Sequence, residues 1–129
     1  AQQGGAALLI DYGHAGTGFG ETLQAIARHR SAPLLESPGT ADLSAHVDFA
    51  AMTEAVGRGG ASAYGPVAQG AFLQALNIEH RAEQLAKKNP PHAKAIQSAL
   101  QRLTAPDQMG NLFKVLAVLP PTAPAPPGL

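Results

Sequence analysis

Residues 4–20, GGAALLIDYGHAGTGFG, decide how the rest of the chain is read. Ala6 to Tyr12 is an almost uninterrupted apolar run that closes on a carboxylate, Asp11, with Gly4 and Gly5 before it and Gly13 after it. A short apolar run between glycines predicts a buried strand, and its lack of polar alternation points to a parallel sheet covered on both faces. In open α/β sheets, ligands sit beyond the carboxyl ends of such strands. That rule puts Asp11, Tyr12, Gly13 and His14 at the head of a candidate site.

The glycines that follow carry a weaker signal. Gly16, Gly18 and Gly20 spell G-x-G-x-G after a strand, and Glu21 to Arg30 (ETLQAIARHR) reads as a helix. This is the outline of a nucleotide-binding loop. The spacing argues against it, because cradling glycines must begin at the turn itself, and Ala15 and Thr17 occupy the places two and four residues after Gly13. The stretch reads instead as a flexible connection or mobile cover.

Composition narrows the field. A chain of 129 residues with 45% apolar residues can form one domain with a real core. Nine basic and nine acidic residues balance, so charge suggests no grip on nucleic acid or an anionic membrane. The absence of cysteine removes disulfides, thiolate metal sites and cysteine nucleophiles together. No apolar run approaches the ~18 residues of a membrane span. The chain opens without methionine and enters a buried-looking strand at once, although a parallel central strand needs neighbours on both sides. It is read as the C-terminal part of a longer protein.

Outward from the first strand, Ser31 to Ser44 (SAPLLESPGTADLS) reads as a long loop with a turn at Pro38-Gly39. Asp42 and Asp48 flank His46, and Asp48 is placed to cap a helix over Phe49 to Gly57. Ala61 to Val67 predicts a strand. Gln69 to Lys88 is helical with a break at Asn77, and another helix runs from about His92 to Leu103 after Asn89-Pro90-Pro91. Ala105-Pro106-Asp107 is a turn, and Asn111 to Leu119 (NLFKVLAVL) is the second strong strand. The domain is expected to cover 1–119, followed by a proline-rich, extended and disordered tail over 120–129. The order is that of an α/β fold in which the last two strands pair antiparallel beside the first.

Several blocks resemble one family. GGAALLIDYGH is similar to the fifth strand of class I S-adenosylmethionine-dependent methyltransferases. IDYGH, ETLQAIARH, PGTADLSAHVDF, YGPVAQGAFLQALNI and RLTAPDQMGNLFKVLAV resemble, in order, the MidA-type family, which includes a mitochondrial protein-arginine methyltransferase that assists respiratory complex I assembly. The resemblance implies the C-terminal portion of a Rossmann-like class I methyltransferase sheet. It would hold a parallel strand, an antiparallel terminal strand pair and covering helices. It also implies that the glycine-rich loop and ribose-binding acid for S-adenosylmethionine lie upstream, so that no cofactor-binding residue is assigned here. The partner implied is a protein substrate, with a complex I subunit as a candidate. The location implied is the cytoplasm of a bacterium or the mitochondrial matrix of a eukaryote.

Methyl transfer from a sulfonium is an in-line displacement, so a protein contributes alignment and desolvation of the acceptor. For an arginine acceptor, carboxylates can hold the guanidinium by bidentate hydrogen bonds. Asp11, with Asp42 or Asp48 from the loop, supplies that arrangement, and His14 or His46 can take the departing proton. Tyr12, Gly13, His46 and Gln69 are expected to shape the substrate pocket. Each has a plainer role open to it: Asp11 can bond strand-end amides, Asp48 can cap a helix, Tyr12 can pack, and Gln69 can start a helix. The five histidines show no i, i+4 pairing, so no metal site is expected. A second function class stays open, a non-catalytic interaction module that lacks the cofactor loop.

Overall fold

The computed structural model describes residues 4–16, 21–36 and 38–129. The first apolar run forms strand β1, Ala7–His14, and the late one forms β7, Phe113–Leu119, which lies antiparallel to it with Ala7 opposite Val118 and Tyr12 opposite Phe113. Strand β6, Ser62–Ala68, pairs antiparallel with the far edge of β7. The two-residue β5, Val47–Asp48, runs parallel to the end of β1, with Gly13 opposite Val47 and His14 opposite Asp48. The sheet order is β5-β1-β7-β6. β1 and β6 therefore run in the same direction with β7 reversed between them, the mixed α/β sheet with an antiparallel terminal pair that the sequence implies.

Strand alternation divides this sheet into two faces. Leu8, Ile10 and Tyr12 stand opposite Ala117, Val115 and Phe113 on one face; Leu9 and Asp11 stand opposite Leu116 and Lys114 on the other. Val115 and Leu116 are 0% exposed because β7 is paired along both edges and covered on both faces. Helix α1, Phe49–Arg58, begins where expected, with the Asp48 carboxylate accepting from the Ala51 amide at 2.9 Å. It seats Phe49, 0% exposed, against Gly13. Helix α2, Gln69–Ala75, covers the opposite face with Phe72.

The break predicted at Asn77 is present: its backbone is left-handed (φ 59°), ending α2 and allowing α3, Ile78–Lys88, to start in a new direction. A 3-10 turn, Pro90–His92, leads into α4, Ala93–Thr104, which lies beside α3. No helix among the described residues is long and apolar enough to cross a membrane.

Four expectations are corrected. Glu21 to Arg30 is not helical: β2, Gln24–Ala27, and β3, Arg30–Ala32, form a hairpin about Arg28 and His29, whose φ angles of 51° and 61° give the doubly left-handed turn that suits tight hairpins. Pairing on both edges of β2 overrides the helical propensity of its residues. Ser31 to Ser44 is accordingly not all loop, since it contributes the end of β3 and strand β4, Asp42–Ser44, giving a second sheet in the order β3-β2-β4. β7 starts at Phe113 and not at Asn111, because a helical turn, α5, takes Met109–Leu112 and presses Gly110 onto the Thr104 carbonyl. Finally, β1 is not buried along its length: Leu8 is 52% and Ile10 45% exposed. β7 pairs with one edge of β1 between residues 7 and 12, and among the described residues no strand lines the other edge before Val47.

The segment 120–129, expected to be disordered, touches the body of the domain. The Tyr64 hydroxyl donates to the Ala123 carbonyl at 2.7 Å, and Pro126 and Leu129 close over Phe72 and Leu8 around a cavity of about 420 Å³.

Candidate functional site at the carboxyl end of the first strand

Three strand ends meet where β1 finishes. Asp11 stands opposite Lys114, which in turn stands opposite Ala68 at the end of β6, so Tyr12, Gly13 and His14 project beyond this row together with β5. Gly13 makes the meeting possible. A Cβ there would lie 2.2 Å from the Val47 carbonyl oxygen and 3.0 Å from the Phe49 ring, so only glycine lets β5 and α1 come this close.

Asp11 points to the α1 side of the sheet and lines, with Val47, Phe49 and Met52, a crevice of about 300 Å³. Its Oδ1 accepts from the Tyr12 amide at 2.8 Å, which fixes the carboxylate at the strand end. Lys114, on the same face, donates through Nζ to the Asn111 carbonyl. On the opposite face Tyr12 sits between two rings, edge-on to His46 at 5.8 Å and to Phe113 at 5.7 Å. The His46 amide is held by the Thr22 hydroxyl at 3.1 Å, tying this cluster to the segment that enters β2. His14 donates from Nδ1 to the Gly16 carbonyl at 2.5 Å, so its Nε2 is the nitrogen able to accept a proton.

The structure brings Asp11, Tyr12, Gly13, His14, His46 and Asp48 to one end of the sheet. Asp42 is separate from them, exposed in the second sheet opposite Ile26. Gln69 follows Ala68 at the correct end but is only 6% exposed, and its Nε2 donates to the Leu103 carbonyl at 2.9 Å. One carboxylate oxygen of Asp48 is engaged in capping α1. Phe113 escaped the sequence reading. The signal available for it is positional, since the first residue of a strand antiparallel to β1 must stand beside the last residues of β1.

Among the described residues no three histidine, aspartate or glutamate side chains converge as a metal site. Gly13 itself offers no cradle for S-adenosylmethionine, since it is packed against Val47 and Phe49 and presents no open backbone. Gly18 and Gly20 of the weighed G-x-G pattern lie outside the described residues.

A family model described as "Putative S-adenosyl-L-methionine-dependent methyltransferase" matches residues 1–67. The chain belongs to this methyltransferase family. The MidA-type resemblance of its motifs is borne out by relatives across nearly the whole chain. The protein arginine methyltransferase NDUFAF7 homolog, mitochondrial, of Drosophila melanogaster is 44% identical over 124 residues, 92% of this chain and 28% of that protein. The human protein arginine methyltransferase NDUFAF7, mitochondrial, is 36% identical over 122 residues, 93% of this chain and 27% of that protein. A Burkholderia thailandensis protein described as a "likely methyl transferase", bound to S-adenosyl-homocysteine, superposes with a TM-score of 0.81 at 32% identity, covering 93% of this chain and 33% of that one. The chain thus spans little more than a quarter of the length of the curated relatives it matches.

Proposed function

We propose that this chain is part of an S-adenosylmethionine-dependent protein arginine methyltransferase and forms the acceptor side of its active site. The observation that carries the reading is the likeness, at 32% identity and a TM-score of 0.81, to a protein holding S-adenosyl-homocysteine, joined to kinship with proteins named as arginine methyltransferases. When bound, S-adenosylmethionine supplies a methyl group activated on sulfur. The residues of this chain act on the acceptor. The Asp11 carboxylate, fixed by the Tyr12 amide, accepts hydrogen bonds from the substrate guanidinium in the α1 crevice, and Asp48, opposite His14, is the second carboxylate in preference to the more distant Asp42. A guanidinium nitrogen that takes up a methyl group loses a proton, and His14 Nε2 accepts it. Tyr12, packed edge-on against His46 and Phe113 on the opposite face of the sheet, fixes the strand end that carries Asp11, Gly13 keeps the crevice narrow, and Gln69 holds the start of α2 against α4. The acceptor is a protein, and a respiratory complex I subunit is the candidate. The mitochondrial names of the animal relatives support the matrix as the location if the source is eukaryotic, and the cytoplasm is its counterpart in a bacterium.

The second reading is a non-catalytic interaction module, in which the chain binds a partner without the cofactor loop. Isotope-labelled S-adenosylmethionine, incubated with the protein at its full natural length and a respiratory-chain protein extract, distinguishes the two. Label recovered in methylarginine after acid hydrolysis, and lost by about a hundredfold or more in folded Asp11→Asn, supports the enzyme. Cofactor binding by calorimetry without methylarginine refutes arginine as acceptor. No binding refutes the methyltransferase and leaves the module.

A further inference from the structure

The α3–α4 pair lies apart from the strand-end site and carries an unfilled groove. Ile78 and Leu85 of α3 face Ile96, Leu100 and Leu103 of α4 across a cavity of about 280 Å³, and Arg81 is the one charged residue in its lining. Lys88 lies one turn beyond Leu85 on the same face of α3, and His92 one turn before Ile96, so the rim continues with cationic or proton-accepting groups. Neither carboxylate of the pair, Glu79 or Glu83, lines the groove. The asymmetry extends to the whole pair. In a chain with nine basic and nine acidic residues, the helices hold Arg81, Lys87, Lys88, Lys94 and Arg102 against Glu79 and Glu83 alone.

We infer that the α3–α4 groove docks an amphipathic helix of a partner protein, one whose apolar stripe is flanked by carboxylates. The floor is concave and apolar, which accepts a ridge of side chains from a third helix. A bilayer would instead meet a convex apolar face. At 11 and 12 residues the two helices are about 16–18 Å long, enough for roughly three turns of a bound helix. A second copy of the chain offers a poorer match: α1 has a single acid, Glu54, already paired with Arg58 at 2.5 Å, α2 carries no charge, and Glu79 and Glu83 of α3 are outnumbered by Arg81, Lys87 and Lys88 on the same helix. The cationic rim matches a helix whose apolar stripe is flanked by carboxylates and steers its approach.

The test uses the protein at its full natural length and two fluorescent synthetic peptides. One has leucines at i, i+3, i+4 and i+7 flanked by glutamates, and the other has the glutamates replaced by lysines. Anisotropy titrations are expected to show the acidic peptide binding at least about tenfold tighter than the basic one. Arg81→Glu with Lys88→Glu, both at exposed positions, should abolish that preference. Lys87→Glu with Lys94→Glu, on the far sides of the two helices, should leave most of it. Equal binding of the two peptides, or equal loss in the two double variants, overturns the inference. So does self-association in sedimentation that Arg81→Glu with Lys88→Glu dissolves, or vesicles containing phosphatidylserine that bind through the same two residues while the acidic peptide does not.

Discussion

A methyl group on Gly13 would meet the Val47 carbonyl at 2.2 Å and the Phe49 ring at 3.0 Å, so Gly13→Ala must push β5 and α1 away from β1. Overpacking of this kind costs about 1–3 kcal/mol, and urea unfolding should show a midpoint lowered accordingly. At Asp48 two roles separate cleanly. Asp48→Ala removes the cap on Ala51 and should cost about 1 kcal/mol, whereas Asp48→Asn keeps a capping oxygen and nearly all the stability. Turnover that falls in folded Asp48→Asn assigns the carboxylate to the acceptor site; turnover that holds leaves Asp48 as a cap. The strand-end residues were legible because an apolar run ending in Asp11-Tyr12-Gly13-His14 has one sensible place in an α/β sheet. Phe113 was not, since its position beside Tyr12 depends on the register of a strand that arrives about a hundred residues later.

The hairpin of β2 and β3 is an element whose identity local preference misreports. Leu, Gln, Ala and Arg favour a helix, yet Ala25 is 1% exposed in a strand paired on both edges, and Arg28 and His29 are held left-handed to close the turn. Replacing Arg28-His29 by Asn-Gly, the pair best suited to that turn, should raise stability by up to about 1 kcal/mol. A rise in thermal midpoint checks it, and a fall would show that the two side chains contribute contacts of their own. A helix followed by a loop in this stretch would leave Asp42 free to join Asp11; strand pairing carries it into the second sheet instead. The break at Asn77, by contrast, was readable from sequence. Asparagine tolerates the left-handed backbone, so Asn77→Ala should cost roughly 1 kcal/mol while Asn77→Gly should be close to neutral.

Across the whole molecule, stability should be graded from the middle of the main sheet outward. β7 is paired on both edges, with Val115, Leu116 and Ala117 at 0%, 0% and 4% exposure, whereas Leu43 in the second sheet is 62% exposed. Hydrogen exchange should find the amides of 115–117 slowest, with those of β2 to β4 at least about a hundredfold faster through local opening. Uniform protection of the two sheets would show that they open as one unit. The sequence by itself determined the α/β class, the two strong strands, the helix boundaries at Asp48 and Asn77, and the strand-end cluster, because each rests on periodicity, turn residues or caps acting over a few neighbours. Only the tertiary structure decided which strands are neighbours, that β7 inserts between β1 and β6, that Gln24–Ala27, Arg30–Ala32 and Asp42–Ser44 pair as a second sheet, and which faces Asp11 and Phe113 occupy. Those outcomes depend on hydrogen bonds and packing between segments distant in the chain, where the energy of pairing exceeds the small preferences that single residues express locally.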